Sequence, residues 1–424
     1  MNFLHLDTYT VKKNKSWPHY NLHKQLLKHG YRSFILSAKG DLEEENVAIL
    51  NRGNLIPYFG ISRFVRKVYF EILRKDAESY FYPEWNLDFI SKEQILEKVP
   101  FKPDFIITYF TVFAFNQKLI YELSKAYNAP VLCYMVDMAQ MTGGCHYAYD
   151  CTKYEEKCGR CPAIHSNKEN DLSRRTWEYK RKYYDKTDIT FLAATSTLMK
   201  QAQRSSLIKD KRIERIMACV DEKRFMPGNK EKAKTELGIP GNKKVIFFGA
   251  ASLKVKRKGV SFLIEALHML SENIKEDIPK DDIVVLIAGK NNRELEIPYD
   301  TKYLGYLNTE EELARAYQAC DLFVCPSTED SGPLMINQAI MSGRPVVSFE
   351  MGVAPDLVHT GRTGYRAKLK DSRDLAHGME MILRLSDKQW DEMSLECRKL
   401  ALELYSLSGQ VNRLEEIIKH LAKD

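Results

Sequence analysis

Residues 321–364 read DLFVCPSTEDSGPLMINQAIMSGRPVVSFEMGVAPDLVHTGRTG, and this stretch decides the fold. The apolar run Leu322 to Cys325 stops at Pro326-Ser327, the pattern of a buried strand ending at the edge of a sheet. An acidic, glycine-containing turn follows, Thr328-Glu329-Asp330-Ser331-Gly332. Pro333 suits the first position of a helix and Gly343 its C-terminal cap. Pro345 to Phe349 then opens the next strand. A strand–turn–helix of this kind directs unpaired backbone N–H groups and the positive end of a helix beyond the strand ends, an arrangement that binds phosphate.

The same unit recurs outward from there. Lys244 to Gly249 reads as a strand, followed by a polar loop and a helix over Val260 to Leu267. Ile283 to Gly289 is a second buried strand, and Thr309 with Glu312 forms a capping box at a helix start. Gln389 to Leu421 reads as helices. The first half keeps this rhythm less cleanly, with strands near 2–7, 33–37, 104–109 and 130–136. Alternation of this type predicts an α/β protein whose mostly parallel sheets carry helices on both faces and take ligands at the carboxyl ends of their strands. At 424 residues the chain exceeds what one core supports, so two domains are expected. With 44% hydrophobic and 29% charged residues it is globular. No run reaches the ~20 apolar residues that span a bilayer, and the N-terminus lacks the apolar core of a signal peptide, so a cytoplasmic protein is expected.

The opening stretch resembles the donor-site signature of the family-4 retaining glycosyltransferases, P-S-x-x-E-x-x-G-x-x-x-x-E-A-x-x-x-G-x-P-V-V. Aligning Gln338-Ala339 to Gly343 on its E-A-x-x-x-G puts Asp330, with Glu329 beside it, at the first acidic position and Gln338 at the second. The resemblance implies that the first contacts the donor sugar and the second the nucleotide ribose. Gln338 can still hydrogen-bond hydroxyls but lacks the charged acceptor. Family members also carry G-R-L, a short loop and K-G, which clamp the donor diphosphate. Gly249 and Lys258-Gly259 match, Ala250 stands in place of the Arg, and Lys254, Lys256 and Arg257 offer replacement charge. The implied donor set is Gly249, Arg257, Lys258, Ser331, Gly332 and Gln338, with no metal needed for catalysis. The implied architecture is GT-B, two Rossmann-like doubly wound domains facing across a cleft: an acceptor-binding domain over 1–205, a nucleotide-sugar domain over 206–402, and a helix over 403–424 returning to the first domain.

Cys145, Cys151, Cys158 and Cys161 fall within seventeen residues, spaced C-x₅-C-x₆-C-x₂-C, in an insertion over 143–165. The segment is polar and too poor in apolar residues for its own core. Four clustered cysteines fit a structural zinc site; a disulfide pair and unliganded thiols are the other readings. The string T-G-G-C-H…C…C-G-x-C-P resembles an insertion in a subgroup of bacterial polysaccharide glycosyltransferases, where it follows H-D-x-W. Here Asp137 is retained, Val136 replaces the His and Ala139 the Trp. The family His touches the donor sugar, which Val136 cannot do. Asp137, at a strand end, is the candidate for the reacting site, with His146 a candidate for that role, for a metal ligand or for neither.

The net charge is +7. Lys12, Lys13 and Lys15 precede a helix-like run in which Arg63, Arg66, Lys67, Arg74 and Lys75 alternate with Phe64, Val65, Tyr69, Phe70, Ile72 and Leu73. Such a helix can lie on anionic lipid or pack its apolar face on the domain. The run from Arg174 to Tyr184 has the same two readings. The chain shows no nucleic-acid-binding fold, and the cysteine spacing is not that of a C₂H₂ finger, so nucleic acid is excluded as a partner. These readings converge on a peripheral enzyme at the inner face of the plasma membrane. It would move a sugar with retention from a nucleotide-diphospho-sugar to a lipid-linked glycan of a capsule, O-antigen or exopolysaccharide. The alternative is a non-catalytic sugar-nucleotide-binding or scaffold protein on the same fold.

Overall fold

The computed structural model describes residues 1–9, 18–42, 44–50, 80–84, 90–112, 114–274, 276–290 and 295–421. The chain divides into two compact units, the first made of Met1–Ala194, Leu198–Ile216 and Val411–Asp424, the second of Thr195–Thr197 and Met217–Gln410. Among the described residues the first half of the chain contributes β1 (Asn2–Tyr9), α1 (Pro18–Lys28), β2 (Arg32–Lys39), β3 (Val47–Ile49), α2 (Lys92–Leu96), β4 (Phe105–Thr108), α3 (Gln117–Tyr127), β5 (Val131–Met135), α4 (Leu172–Tyr184), β6 (Ile189–Ala193), α5 (Ser196–Arg204) and β7 (Arg212–Arg215). The strands form one parallel sheet in the order β3-β2-β1-β4-β5-β6-β7.

Because side chains alternate along a strand, this sheet feeds two separate cores. Val131, Cys133 and Met135 of β5 join one with Ile106 and Phe191; Leu132 and Tyr134 join the other with Ile107 and Leu192. That continuous burial on both faces is why the strands read as unbroken apolar runs.

The second unit adds α6 (Lys230–Glu236), β8 (Lys244–Ser252), α7 (Val260–Asn273), β9 (Ile283–Lys290), β10 (Asp300–Gly305), α8 (Glu310–Ala319), β11 (Leu322–Cys325), α9 (Leu334–Met341), β12 (Val346–Phe349), α10 (Ala354–Leu357), β13 (Gly364–Ala367), α11 (Ser372–Leu383) and α12 (Asp387–Tyr405). Its parallel sheet runs β10-β9-β8-β11-β12-β13, the strand order of a doubly wound dinucleotide-binding fold. The order reverses between β8 and β11, so the carboxyl ends of those two strands mark the ligand-binding edge. The expected capping box forms: Thr309 Oγ1 accepts from the Glu312 amide and Glu312 accepts from the Thr309 amide at 3.0 Å.

Two boundaries differ from the sequence reading. The first unit runs past 205 to Ile216, because Leu207, Ile208 and Ile216 are buried in its cores. Helix α12 continues to Tyr405, which is buried in the second unit's core, so the returning element is the shorter α13 (Gln410–Leu421). Val411, Leu414, Ile417 and Ile418 of α13 pack with Phe3, Leu22 and Leu26 of the first unit. The basic runs at 12–15 and 63–75 lie outside the described residues. The run at 174–184 is helix α4, whose Trp177, Lys180, Tyr183 and Tyr184 are buried; Lys180 Nζ donates to the Ala139 carbonyl at 2.6 Å and the Thr142 carbonyl at 3.1 Å. Part of its basic-aromatic character therefore serves the interior of the unit. No described helix is long and apolar enough to cross a membrane.

Candidate functional site

β11 ends at Cys325, and the turn Thr328–Gly332 carries the chain to α9 at the ligand-binding edge of the second sheet. Pro333 sits at the N-cap, one position earlier than the sequence suggested, so the helix begins at Leu334. Its far end is closed as expected by Gly343 at φ 70°, with Gly343 N donating to Ile340 O and Arg344 N to Ala339 O. The neighbouring loop after β8 makes a single 3₁₀ turn, Lys256–Lys258, and enters α7 through Gly259 at φ 72°. Only glycine fits there: a Cβ would stand 1.8 Å from the Pro326 carbonyl oxygen. This close approach locks the two loops together, and the Thr328 amide donates to the Arg257 carbonyl at 2.8 Å.

The result is a charged cluster on three side chains. Asp330 Oδ2 accepts from Lys258 Nζ at 2.6 Å and from Arg257 Nη1 at 2.9 Å, while its Oδ1 accepts from the Gly332 amide at 3.2 Å. Arg257 also donates to the Glu329 carbonyl at 3.2 Å. Burial disfavours the Asp330 carboxylate, but Lys258 and Arg257 outweigh burial and hold its pKa below the ordinary value. The basic loop thus splits, with Arg257 and Lys258 turned in and Lys254 and Lys256 exposed. Gly249 has a packing role: a Cβ there would meet Met335 Cε at 2.5 Å, so its absence lets the first turn of α9 approach β8. Ser331 and Gln338 are buried. Two lysine and arginine charges, a glycine turn and a helix N-terminus at one sheet edge can neutralise a phosphate group.

Asp137 belongs to the first unit and pairs with His146. Its Oδ2 accepts from His146 Nδ1 at 2.6 Å and its Oδ1 from the Ala139 amide at 2.8 Å. The imidazole is buried between Tyr82 and Phe110, and its Nε2 has no hydrogen-bond partner among the described residues. A carboxylate on Nδ1 fixes the ring and leaves Nε2 for other work. Val136 is 38% exposed.

Sequence reasoning missed a second polar cluster in the first unit. His5 bonds Tyr109 and Ser33, His23 bonds the same Ser33 hydroxyl at 2.8 Å, and His19 Nδ1 lies 3.4 Å from Asp7 Oδ2. Burial lowers the His19 pKa to about 3 and the His23 pKa to about 4, and raises that of Asp7 to about 7. The signal was present: His5 and Asp7 point to one face of β1, and His19 and His23 are one turn apart on α1.

The four cysteines of the insertion line one cavity, with Thr142 and Tyr154 beside them. All nine cysteines are free thiols. Among the described residues no group of three or more His, Cys, Asp or Glu side chains is placed so that it could hold a metal ion.

Known proteins resemble both halves of this picture. Residues 242–385 match the family model for group 1 glycosyl transferases. D-inositol 3-phosphate glycosyltransferase of Corynebacterium efficiens is 30% identical over 208 residues, which cover 45% of this chain and 46% of that protein. The chain thus spans about half the length of the curated relatives it matches. Sucrose-phosphate synthase from Thermosynechococcus elongatus superposes with a TM-score of 0.66 at 14% identity, covering 100% of both chains. Anabaena HepE in complex with UDP-glucose does so with a TM-score of 0.60, again at 14% identity and full coverage of both. Residues 242–385 are thus similar to the group 1 glycosyl transferases, and the two parallel-sheet units share the GT-B fold of these solved structures.

Proposed function

We propose that this protein transfers a sugar, with retention, from a nucleotide-diphospho-sugar to a lipid-linked glycan during surface-polysaccharide synthesis at the inner face of the plasma membrane. The observation that carries the reading is the Arg257–Lys258–Asp330 cluster beside the N-terminus of α9. Lys258, Arg257 and the Ser331-Gly332 turn would hold the diphosphate, Gln338 the ribose, and Asp330 with Glu329 the sugar. In the reaction the bond from the anomeric carbon to the phosphate oxygen breaks, and a bond to the acceptor oxygen forms on the same face. The acceptor's proton passes to the departing phosphate oxygen. Charge stabilisation of the diphosphate and positioning then supply most of the rate, and no dedicated protein base is required. Support for a uridine donor comes from HepE, whose structure holds UDP-glucose.

The test is hydrolysis and transfer with a panel of UDP-, GDP- and TDP-sugars, using extracted lipid-linked glycan as acceptor. One donor should be slowly hydrolysed and transferred with its anomeric configuration kept, and Lys258→Ala and Asp330→Asn should each lower the rate about ten-fold or more. Donor binding with neither hydrolysis nor transfer would establish the non-catalytic alternative, which the departures at Gln338, Ala250 and Val136 together favour.

A further inference from the structure

In the first sheet the strand order reverses between β1 and β4, so the carboxyl ends of those strands mark its ligand-binding edge. The chain segments that leave them meet, with the Thr8 amide donating to the Phe110 carbonyl at 2.8 Å. Phe110 packs on the imidazole of His146 with ring centres 5.4 Å apart, and Tyr82 meets the same imidazole edge-on at 5.1 Å. The Asp137–His146 pair, just past the end of the neighbouring strand β5, therefore lies at that edge.

Its geometry is fixed from several sides. The His146 amide donates to the Tyr80 carbonyl at 2.8 Å, and the His146 carbonyl accepts from the Met138 amide at 3.2 Å. Asp137 Oδ1 is held by the Ala139 amide, and the Ala139 carbonyl by the buried Lys180. An ionised carboxylate only accepts, so Nδ1 carries a proton and Nε2 of the neutral ring is an acceptor. His146 is 4% exposed, and its Nε2 has no hydrogen-bond partner among the described residues.

Gln140 repeats the pattern beside Phe110. Its Nε2 donates to the Tyr109 carbonyl at 3.3 Å, while its buried Oε1 has no partner among the described residues. Leaving a buried acceptor unpaired is destabilising, so two of them at a ligand-binding edge point to a function. Preset acceptors among aromatic side chains suit a ligand that donates from several hydroxyls. We infer that His146 Nε2 receives a hydroxyl hydrogen of the acceptor glycan, and that Asp137 holds the imidazole in the accepting tautomer. Tyr82 and Phe110 are both half-buried, and a ligand that turns either ring aside reaches Nε2. That the ligand is a glycan rests on the transfer reaction proposed for this chain.

Two measurements test this. The first uses the unaltered full chain labelled with nitrogen-15 histidine, the His146 signals being identified by their loss in His146→Ala. Nε2 should resonate as an unprotonated nitrogen and shift when the oligosaccharide released from the extracted lipid-linked glycan is added without donor. The second is transfer kinetics. His146→Ala should raise KM for the lipid-linked glycan about ten-fold, with kcat and the donor KM changed less than about three-fold. Asp137→Asn keeps the shape of the side chain. Because the Ala139 amide retains the oxygen, the new amide nitrogen faces Nδ1 and donates to it. The proton should move to Nε2 in the nitrogen spectrum, and the glycan KM should rise as in His146→Ala. A shift of Nε2 without transfer from any donor would leave this site standing and sink the transferase reading. Transfer with the glycan KM within about two-fold of normal in both variants would overturn the inference and leave that reading intact. An Nε2 signal that stays unmoved at millimolar oligosaccharide would also overturn it.

Discussion

Gly259 shows how much one residue decides. Its φ of 72° and the 1.8 Å approach that a Cβ would make to Pro326 O leave no relaxed position for alanine. Gly259→Ala should destabilise the second unit by at least about 2 kcal/mol and weaken donor binding, read by denaturant unfolding and by titration with the donor. The buried histidines of the first unit set its response to pH. His19 and His23 are held below their ordinary pKa by burial, so the unfolded chain takes up their protons more readily. The stability they contribute is complete above about pH 6.5 and is lost as the pH falls. Asp7, raised to about 7 by burial, works the other way: its contribution is present below its ordinary value and lost as the pH rises through 7. His5 is also lowered by burial, so three imidazoles outweigh one carboxyl and acid is the destabilising direction. The melting temperature should fall between pH 7 and 5, and His23→Gln should remove about 2 kcal/mol of that dependence.

At the scale of elements, β11 is anchored by Asp321 at its start. The carboxylate accepts from Lys230 at 2.8 Å and from the Val245 amide of β8 at 2.8 Å, with Lys234 at 3.4 Å, and the Asp321 carbonyl accepts from Trp390 Nε1 of α12. Burial disfavours the charge, and the two lysines more than offset it. Asp321→Ala would strand Lys234, whose side chain is 3% exposed, and should cost about 3 kcal/mol by chemical denaturation. The sequence showed β11, the turn and α9 plainly, because local signals mark them: an apolar run, a proline at the helix start and a glycine after its end. The Asp321 network was not legible, since its partners lie 69 to 91 residues away.

At the scale of the whole molecule, α13 is the last described helix in sequence and packs with β1 and α1, near the first residues of the chain. Leu414 is 1% exposed there. Leu414→Ala should destabilise the first unit by about 2–4 kcal/mol, and hydrogen exchange should quicken at β1 and α1. The amphipathic pattern of this tail was visible in the sequence, but which surface receives it depends on contacts nearly four hundred residues apart.

The sequence by itself determined the α/β class, the strand–turn–helix that forms the donor-site candidate and its closing glycines, because those follow from periodicity, chain stiffness and steric limits over a few neighbouring residues. Tertiary structure alone decided that Asp330 is tied to both Arg257 and Lys258, that Asp137 orients His146, and that four spaced cysteines line a single cavity. Those outcomes turn on distances between loops, and loop ends are brought together by the sheets that carry them, not by their own residues.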